Sequence, residues 1–169
     1  MALITLIVIF GITSMMISFV QTSVPFVPTP KRDLQKLVEI LELSDKEVIY
    51  DLGSGDGSVL LWFGKNFKTK SLIGYELILF TYLISRIRVI LGNSKAKFFH
   101  KNFFNYSLTD ATLIYVYLYP MLMRSVGEKI NRDCKAGTKV VSRDFKFPNL
   151  QLINHYWVDK KHEYFIYQV

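Results

Sequence analysis

The stretch Val48-Ile-Tyr-Asp-Leu-Gly-Ser-Gly-Asp-Gly-Ser58 is an apolar run that breaks into three glycines, each two residues from the next. Val48, Ile49 and Tyr50 favour a β-strand, and the glycines let the backbone adopt positive φ values and approach a ligand closely. The apolar residues 59–63 that follow suit a helix whose first N–H groups point towards that ligand. The sequence therefore predicts a buried strand, a ligand-cradling turn and a helix.

Two carboxylates accompany this turn. Asp51 closes the strand just before the first glycine, and Glu76 closes the next predicted strand, Ser71-Leu-Ile-Gly-Tyr-Glu76. The second carboxylate is placed to accept hydrogen bonds from both hydroxyls of a ribose that lies across the two strand ends. Dinucleotide-binding domains carry G-x-G-x-x-G at this point, whereas the spacing here is G-x-G-x-G. A tight turn that binds nothing is the alternative, and the second carboxylate disfavours it.

Strand and helix patterns alternate along the rest of the chain. Their predicted order is helix 33–43, strand 47–51, helix 57–66, strand 71–76, helix 78–91, strands 96–100 and 111–117, helix 121–134 and strand 138–144. Two β-rich runs at 150–158 and 163–169 then predict a hairpin. This alternation predicts an α/β fold with a parallel sheet covered by helices on both faces. A plain dinucleotide-binding domain would carry another helix crossover in place of the hairpin.

The N-terminal residues 2–20 are apolar and carry no charged side chain. At about 1.5 Å per residue they are long enough to cross a bilayer core of about 30 Å. A cleaved signal peptide is the alternative, but it would need a basic start and small residues before the cut. Lys31 and Arg32 follow the segment, so the positive-inside rule places the domain in the cytoplasm. We expect a single-pass membrane protein with an anchor at 1–23, a proline-rich linker at 24–32 and one domain at 33–169.

Composition limits the remaining possibilities. A chain of 169 residues, half of them hydrophobic, can bury one sizeable core but not two. The net charge of +7 favours anionic lipid headgroups or nucleic acid as contacts, unless the basic residues merely solvate the surface. Cys134 is the single cysteine, which excludes an internal disulfide and agrees with a reducing compartment. The three histidines have no metal-ligand spacing, so no metal is predicted.

Four segments recur together in one known group of proteins. They are Pro25-Phe-Val-Pro-Thr-Pro30, Asp51-Leu-Gly-Ser-Gly-Asp-Gly57, Tyr117-Leu-Tyr-Pro120 and Val140-Val-Ser-Arg-Asp-Phe145. The chain resembles the class I, seven-β-strand methyltransferases that use S-adenosylmethionine. Within that class it is similar to the membrane-anchored protein-lysine methyltransferases of the ATP synthase c-subunit and the adenine nucleotide translocase, and to their prokaryotic relatives. The resemblance spans Val24 to about Phe147, and the first and last segments indicate this branch.

The resemblance implies the fold, the cofactor and its binding residues. The fold would be a Rossmann-like, seven-stranded, mostly parallel sheet with an antiparallel last strand. The glycine turn would hold the methionine portion of S-adenosylmethionine, and Glu76 would take the ribose. Asn102 stands where relatives usually carry an acidic residue that contacts the adenine amine, and its amide oxygen can accept the same bond. The predicted cofactor-binding residues are Thr29, Asp51, Gly53, Ser54, Gly55, Asp56, Gly57, Glu76 and Asn102.

The resemblance also places the acceptor site. Tyr117 and Tyr119 occupy the position where class I enzymes receive the acceptor nitrogen. Asp144 ends the fifth predicted strand and is the carboxylate expected to guide the ammonium and accept its proton. The alternative is that Asp144 is only a turn residue that caps the strand.

These observations favour methylation of a lysine in a membrane or membrane-proximal protein. An oxidoreductase that uses NAD, or an enzyme of nucleotide sugars, would need a second domain that the length does not allow. An RNA or small-molecule methyltransferase is the enzymatic alternative. Nucleic acid is disfavoured as a partner, because no Asn-Pro-Pro-Tyr or Asp-Pro-Pro-Tyr motif for a flipped base is present. A membrane-tethered module that binds the cofactor without turnover is the non-enzymatic alternative, and Asn102 is the residue that supports it.

Overall fold

The computed structural model describes residues 1, 4–6, 8–9, 11–13, 27–41 and 43–169. Residues 4–6, 8–9 and 11–13 are helical. In these ranges no helix combines the length and the apolar character that a membrane crossing requires. Most of the anchor predicted over 1–23, and the start of the linker predicted over 24–32, lie outside the described residues.

A mixed sheet forms the centre of the domain. Its strands in chain order, β1 to β7, are Val48–Leu52, Ser71–Glu76, Lys97–His100, Leu113–Val116, Lys139–Arg143, Leu152–Trp157 and Glu163–Gln168. The spatial order of this seven-stranded sheet is β3-β2-β1-β4-β5-β7-β6. The first five strands run parallel, and β7 lies antiparallel between β5 and β6. The predicted mostly parallel sheet with an antiparallel last strand is confirmed.

From Lys31 onwards, the described chain has four α-helices that cover the two faces of this sheet: α1 (Lys31–Ile40), α2 (Ser58–Asn66), α3 (Leu79–Leu91) and α4 (Pro120–Asp133). One apolar cluster joins α1, α2 and the inner side of α3 to the sheet. A second cluster joins α4 and the short 3-10 turn Phe103–Asn105 to the opposite face. Every residue of β1 and β4 is buried, as expected of parallel strands that are covered on both faces.

Most predicted elements differ from the observed ones by one or two residues at each end. The largest shift is in α1, predicted over 33–43, which begins at Lys31 and ends at Ile40. Pro30 stands just before its first residue, with an extended backbone of φ −62° and ψ 148°. Because a proline disfavours helical backbone at the residue before it, the helix does not extend towards Thr29. The strand predicted over 111–117 shortens to Leu113–Val116, since the Ala111 N–H donates to Leu108 in a turn.

A buried ion pair attaches α1 to the sheet. Nη2 of Arg143, the last residue of β5, donates to Oδ2 of Asp33 at 2.6 Å, and both side chains are buried. Just before α1, the hydroxyl groups of Thr29 and Tyr115 lie 3.1 Å apart in a second buried contact. The chain segment that leads into α1 is therefore fixed against the ends of β4 and β5.

Replacing Asp33 by Asn should lower the free energy of unfolding by up to about 3 kcal/mol, because Arg143 would keep its charge in a buried position without its main partner. Oδ2 of Asp144 lies 3.4 Å from Nη1 of Arg143, so Asp144 would still neutralise part of the charge of Arg143 in this variant. Urea denaturation measures the effect. The control is Glu39→Gln, which removes an exposed pair with Lys36 and should leave stability near the wild-type value. Equal stability of both variants would contradict a structural role for the buried pair.

Candidate active site

The turn after β1 depends on glycine backbone. Gly53, Gly55 and Gly57 have φ values of 86°, 53° and 79°, a region that residues with side chains rarely adopt. The Gly53 N–H donates to the carbonyl oxygen of Tyr75 at 3.0 Å. A Cβ atom on Gly53 would lie 2.6 Å from Cδ2 of Leu118. The turn therefore requires glycine both for its backbone angles and for its close approach to the loop after β4.

Glu76 joins the end of β2 to this turn. Its Oε2 accepts a hydrogen bond from the Gly55 N–H at 2.7 Å, and its Oε1 accepts one from the Ile78 N–H at 2.6 Å. Burial raises the pKa of Glu76, although these backbone hydrogen bonds lower it in part. Each carboxylate oxygen can accept more than one hydrogen bond, so Glu76 can still bind two hydroxyl groups of a ligand.

Asp51 is buried at the base of the same site. No hydrogen bond within the described part of the chain reaches its carboxylate, which lines a cavity. Burial raises the pKa of Asp51 well above its usual value, and the neighbouring charges of Glu76 and Asp56 raise it further. A positively charged ligand group beside Asp51 would offset both effects.

The cavity opens beyond the carboxyl ends of β1, β2 and β4, the usual binding edge of parallel α/β sheets. Its volume of about 320 Å³ lies within the range of small-molecule sites. The glycine turn, the start of α2, residues 75–78 and Leu122 of α4 all line it. Three further segments complete the walls: the residues before α1, the loop after β3, and the end of β4 with the loop that follows it. Their lining residues are Val27, Pro28, Thr29, Lys101, Asn102, Phe103, Phe104, Tyr115, Tyr117 and Leu118.

The structure brings most of the predicted site residues to this cavity. Of the predicted cofactor-binding residues, Thr29, Asp51, Gly53, Ser54, Gly55, Asp56, Glu76 and Asn102 line it. Gly57 does not line it and instead precedes the first residue of α2. Asn102 uses its Oδ1 to accept the Phe104 N–H at 3.0 Å, which begins the 3-10 turn. Tyr117 lines the cavity, whereas Tyr119 and Asp144 do not.

Asp144 lies beside Tyr117 and is held by the C-terminal hairpin. Its Oδ2 lies 2.9 Å from Nδ1 of His162, and its Oδ1 accepts the Glu163 N–H at 3.1 Å. Its φ of 63° is in the left-handed region, which is unfavourable for a residue with a side chain. Burial raises the pKa of Tyr117. The charge of Arg143 lowers this pKa, and the charge of Asp144 raises it. Asp144 is therefore in contact with Tyr117 but lies outside the cavity lining.

Sequence reasoning missed several lining residues. The apolar Val27 and Pro28 belong to the predicted linker, in which only Thr29 was predicted to bind the cofactor, yet they line the cavity next to Thr29. Phe103 and Tyr115 line it as well, although aromatic residues in such patterns are more often part of a core. The recurrence of the lead-in prolines together with the glycine turn was the one signal that could have placed this segment at the site.

Comparison with known proteins identifies the group to which this site belongs. The ANTKMT methyltransferase domain family matches residues 51–154. A protein-lysine N-methyltransferase of Saccharolobus islandicus (strain REY15A) is 32% identical over 130 residues, which cover 73% of this chain and 78% of the relative. The adenine nucleotide translocase lysine N-methyltransferase of Mus musculus is 26% identical over 130 residues, which cover 76% of this chain and 56% of that protein.

Solved structures show the same fold. An RNA methyltransferase of Salinibacter ruber, solved in complex with S-adenosyl-L-homocysteine, superposes with a TM-score of 0.79 over 84% of this chain and 93% of that one. Its sequence identity is 22%, so the likeness concerns the fold alone. The sheet order, the glycine turn and the paired carboxylates define a class I methyltransferase. The chain belongs to the ANTKMT methyltransferase family, and its methyl donor is S-adenosylmethionine.

The cavity residues fit this cofactor. S-adenosylmethionine supplies an activated methyl group on a positively charged sulfur, together with an amino group, a ribose and an adenine. Asp51 provides a buried carboxylate without a hydrogen-bond partner in the described structure, which suits a cationic group. Glu76 has acceptor capacity for ribose hydroxyls, and Asn102 and Phe103 provide an amide and an aromatic ring on the same lining.

Asp51→Asn should stabilise the cofactor-free protein while it weakens cofactor binding. The raised pKa of Asp51 means that the folded state favours the protonated carboxyl. The protonated carboxyl therefore contributes its full stabilisation below the usual Asp pKa of about 3.9. This stabilisation is lost as the pH rises through the pKa that Asp51 has in the folded state. The melting temperature of the variant should therefore exceed that of the wild type by a margin that grows from acidic to neutral pH. Thermal unfolding across that pH range measures it.

Asp45→Asn is the matched control, because Asp45 is exposed and should show no such pH-dependent gain. A variant of Asp51 that is less stable than the wild type at neutral pH would mean that the carboxylate has a stabilising partner.

Proposed function

We propose that this protein is an S-adenosylmethionine-dependent protein-lysine N-methyltransferase that acts on a membrane or membrane-proximal protein. The observation that carries the proposal is the cavity that joins Asp51, Glu76 and the glycine turn to Tyr117 and Leu118. One end of it presents the acidic groups that suit the cofactor, and the other presents a tyrosine among apolar side chains. The relatives named as lysine methyltransferases support lysine as the acceptor.

The chemistry requires a neutral amine. Methyl transfer from a sulfonium is an in-line displacement, so the protein contributes mainly alignment and exclusion of water. A free lysine has a pKa of about 10.4 and is charged at neutral pH. Val27, Pro28 and Leu118 give the cavity apolar walls, and such surroundings lower the pKa of an amine by disfavouring its charged form. These walls would release the proton from a lysine as its side chain enters.

Tyr117 is the proposed contact of the acceptor nitrogen. A tyrosine hydroxyl has an ordinary pKa of about 10, and burial raises the pKa of Tyr117 further. The hydroxyl group is therefore protonated at neutral pH, and its oxygen can accept a hydrogen bond from the amine. Asp144 is the proposed carboxylate that attracts the incoming ammonium and takes up its proton, with Tyr117 between it and the cavity. Tyr119 is exposed next to this segment and would contact the substrate outside the cavity.

Apolar side chains near the cavity support a substrate at a membrane. Val27 and Leu77 both line the cavity and are exposed. Tyr119 and Met121, which are also exposed, flank the loop after β4. We further propose that residues 1–23 form a single-pass anchor and that the domain faces the cytoplasm. The apolar run at 2–20 and the basic residues Lys31 and Arg32 support this placement.

The test is incubation of the purified chain with radiolabelled S-adenosylmethionine and membrane fractions of the host. We expect label on lysine side chains of membrane-embedded proteins. Glu76→Ala should weaken cofactor binding in calorimetry by about tenfold or more, because it removes charge-assisted hydrogen bonds. Glu39→Ala, which changes an exposed acid on α1, serves as the control. Label on RNA or lipid instead of protein would refute the proposed substrate while leaving the methyltransferase fold in place.

Asp144→Asn should separate chemistry from binding. If Asp144 accepts the proton, turnover should fall by about 10² or more, the usual scale for loss of a general base, with cofactor affinity nearly unchanged. The loss should shrink at high pH, where the lysine is neutral without help. Tyr117→Phe should reduce turnover less, since the ring and its packing remain. A parallel loss of cofactor affinity would instead mark Asp144 as a structural residue of the hairpin.

A further inference from the structure

Five of the seven aliphatic residues of helix α3 are exposed. Leu79, Leu83, Ile87, Ile90 and Leu91, which we call the α3 stripe, are between 40% and 81% exposed. Their spacing of four, four, three and one residues places them along one side of the helix. The two fully buried residues of α3 are the small, polar Thr81 and Ser85. A surface helix normally turns its aliphatic residues towards the core, so the stripe is an apolar surface that the sheet leaves uncovered.

A basic concavity lies at the far end of this stripe. It has a volume of about 1000 Å³ at the amino ends of β2 and β3, the opposite end of these strands from the cofactor cavity. Leu91 lines it together with five exposed lysines and one arginine, and no Asp or Glu is among its described lining residues. The arginine, Arg88, is paired with Asp56. The lysines are Lys65, Lys68, Lys70, Lys95 and Lys97.

The combination of aliphatic and basic side chains indicates the kind of partner. Proteins that bind a bilayer surface insert aliphatic side chains while lysines and arginines attract anionic headgroups. Single-stranded nucleic acid is bound instead by basic grooves with aromatic side chains on which bases stack. The stripe contains only leucine and isoleucine, and the basic concavity has a single aromatic residue, Phe67, among its described lining residues. The charge and the chemistry of this surface therefore complement an anionic lipid bilayer.

The N-terminal residues meet the same helix. Gly11 packs against the ring of Phe80 in the first turn of α3, so closely that a Cβ atom on Gly11 would lie 2.8 Å from the ring. Ile9 and Ile12, on either side of this contact, are exposed aliphatic residues. The described start of the chain therefore contacts the first turn of α3.

We propose that the α3 stripe and the basic concavity together bind the surface of an anionic phospholipid bilayer and lay α3 along it. Ile78, just before α3, lines the cofactor cavity, so this contact holds the cavity close to the headgroups. The surface does not use any residue of the transfer chemistry. The proposed bilayer contact is therefore independent of the identity of the methyl acceptor. It would nevertheless hold the cavity at a fixed distance from the membrane, and so determine where the acceptor must lie.

The first experiment locates the contact within the full chain. In a Cys134→Ser background, Ile90→Cys carries an environment-sensitive fluorophore, and Ser125→Cys, an exposed position on α4 across the sheet, carries it as the control. With vesicles rich in phosphatidylglycerol, the label at position 90 should shift to the blue and be quenched by lipids brominated in their acyl chains. The label at 125 should do neither. Equal responses at both positions, or none at 90, would overturn the proposal, even if the N-terminal segment held the chain in the membrane.

The second experiment tests the lysines. Lys68→Gln with Lys95→Gln should reduce the apparent affinity of the position-90 response by roughly tenfold, more so at low salt. Lys160→Gln with Lys161→Gln, an equal charge change on the turn between β6 and β7, should leave it within about twofold of the starting value. Equal responses to phosphatidylcholine and phosphatidylglycerol would contradict the headgroup contact. Binding of single-stranded RNA that depends on Lys68 and Lys95, without a vesicle response, would refute the bilayer and make this a nucleic-acid surface.

Discussion

The cavity depends on the buried ion pair of Asp33 and Arg143. The pair joins α1 to the end of β5 and so fixes the residues before α1, among them Val27 and Thr29, over the strand ends. The Arg143 guanidinium also lies 4.5 Å from the ring centre of Tyr117, where a cation is attracted by the aromatic face. One interaction therefore sets the cover of the cofactor site and the orientation of the tyrosine proposed to meet the acceptor.

Acidic groups at the base of the cavity give the site its preference for a cationic ligand. Asp51 and Glu76 are both buried and both have raised pKa values, so their ionised forms cost stability at neutral pH. Hydrogen bonds from the Gly55 and Ile78 N–H groups offset part of this cost at Glu76. Asp51 has no such compensation in the described structure, so a bound cation has most to gain there. The buried negative charge of Asp51 and Glu76 therefore both lowers the stability of the cofactor-free protein and favours binding of a sulfonium cofactor.

The sequence predicted the parts of this site that depend on local patterns. A turn of this kind needs positive φ, which glycine supplies, so Gly53 and Gly55 could be predicted. An acidic residue at the end of a predicted strand is also visible in the sequence, so Glu76 could be predicted as well. The pair of Asp33 and Arg143 was not, because its members are 110 residues apart and only the folded chain brings them together. The pattern of α3 was predicted as a helix, but periodicity does not tell which side faces the sheet when the inner residues are Thr81 and Ser85.

The exposed leucines and isoleucines of α3 also connect the cofactor cavity at one end of the sheet with the basic concavity at the other. The helix has 13 residues and at 1.5 Å per residue extends about 20 Å, from Ile78 at the cofactor cavity to Leu91 at the basic concavity. If its leucines and isoleucines packed on the sheet, they would add to the core, and the two sites would share no outer surface. Instead, Thr81 and Ser85 are buried on the inner side beside the partly buried Tyr82 and Val89, and most of the leucines and isoleucines of the helix face the exterior. In the proposed arrangement, a bilayer that meets this side would contact the lysines at one end of α3 and lie next to the cavity at the other. A substrate lysine close to the membrane surface would then have only a short distance to travel to the methyl donor.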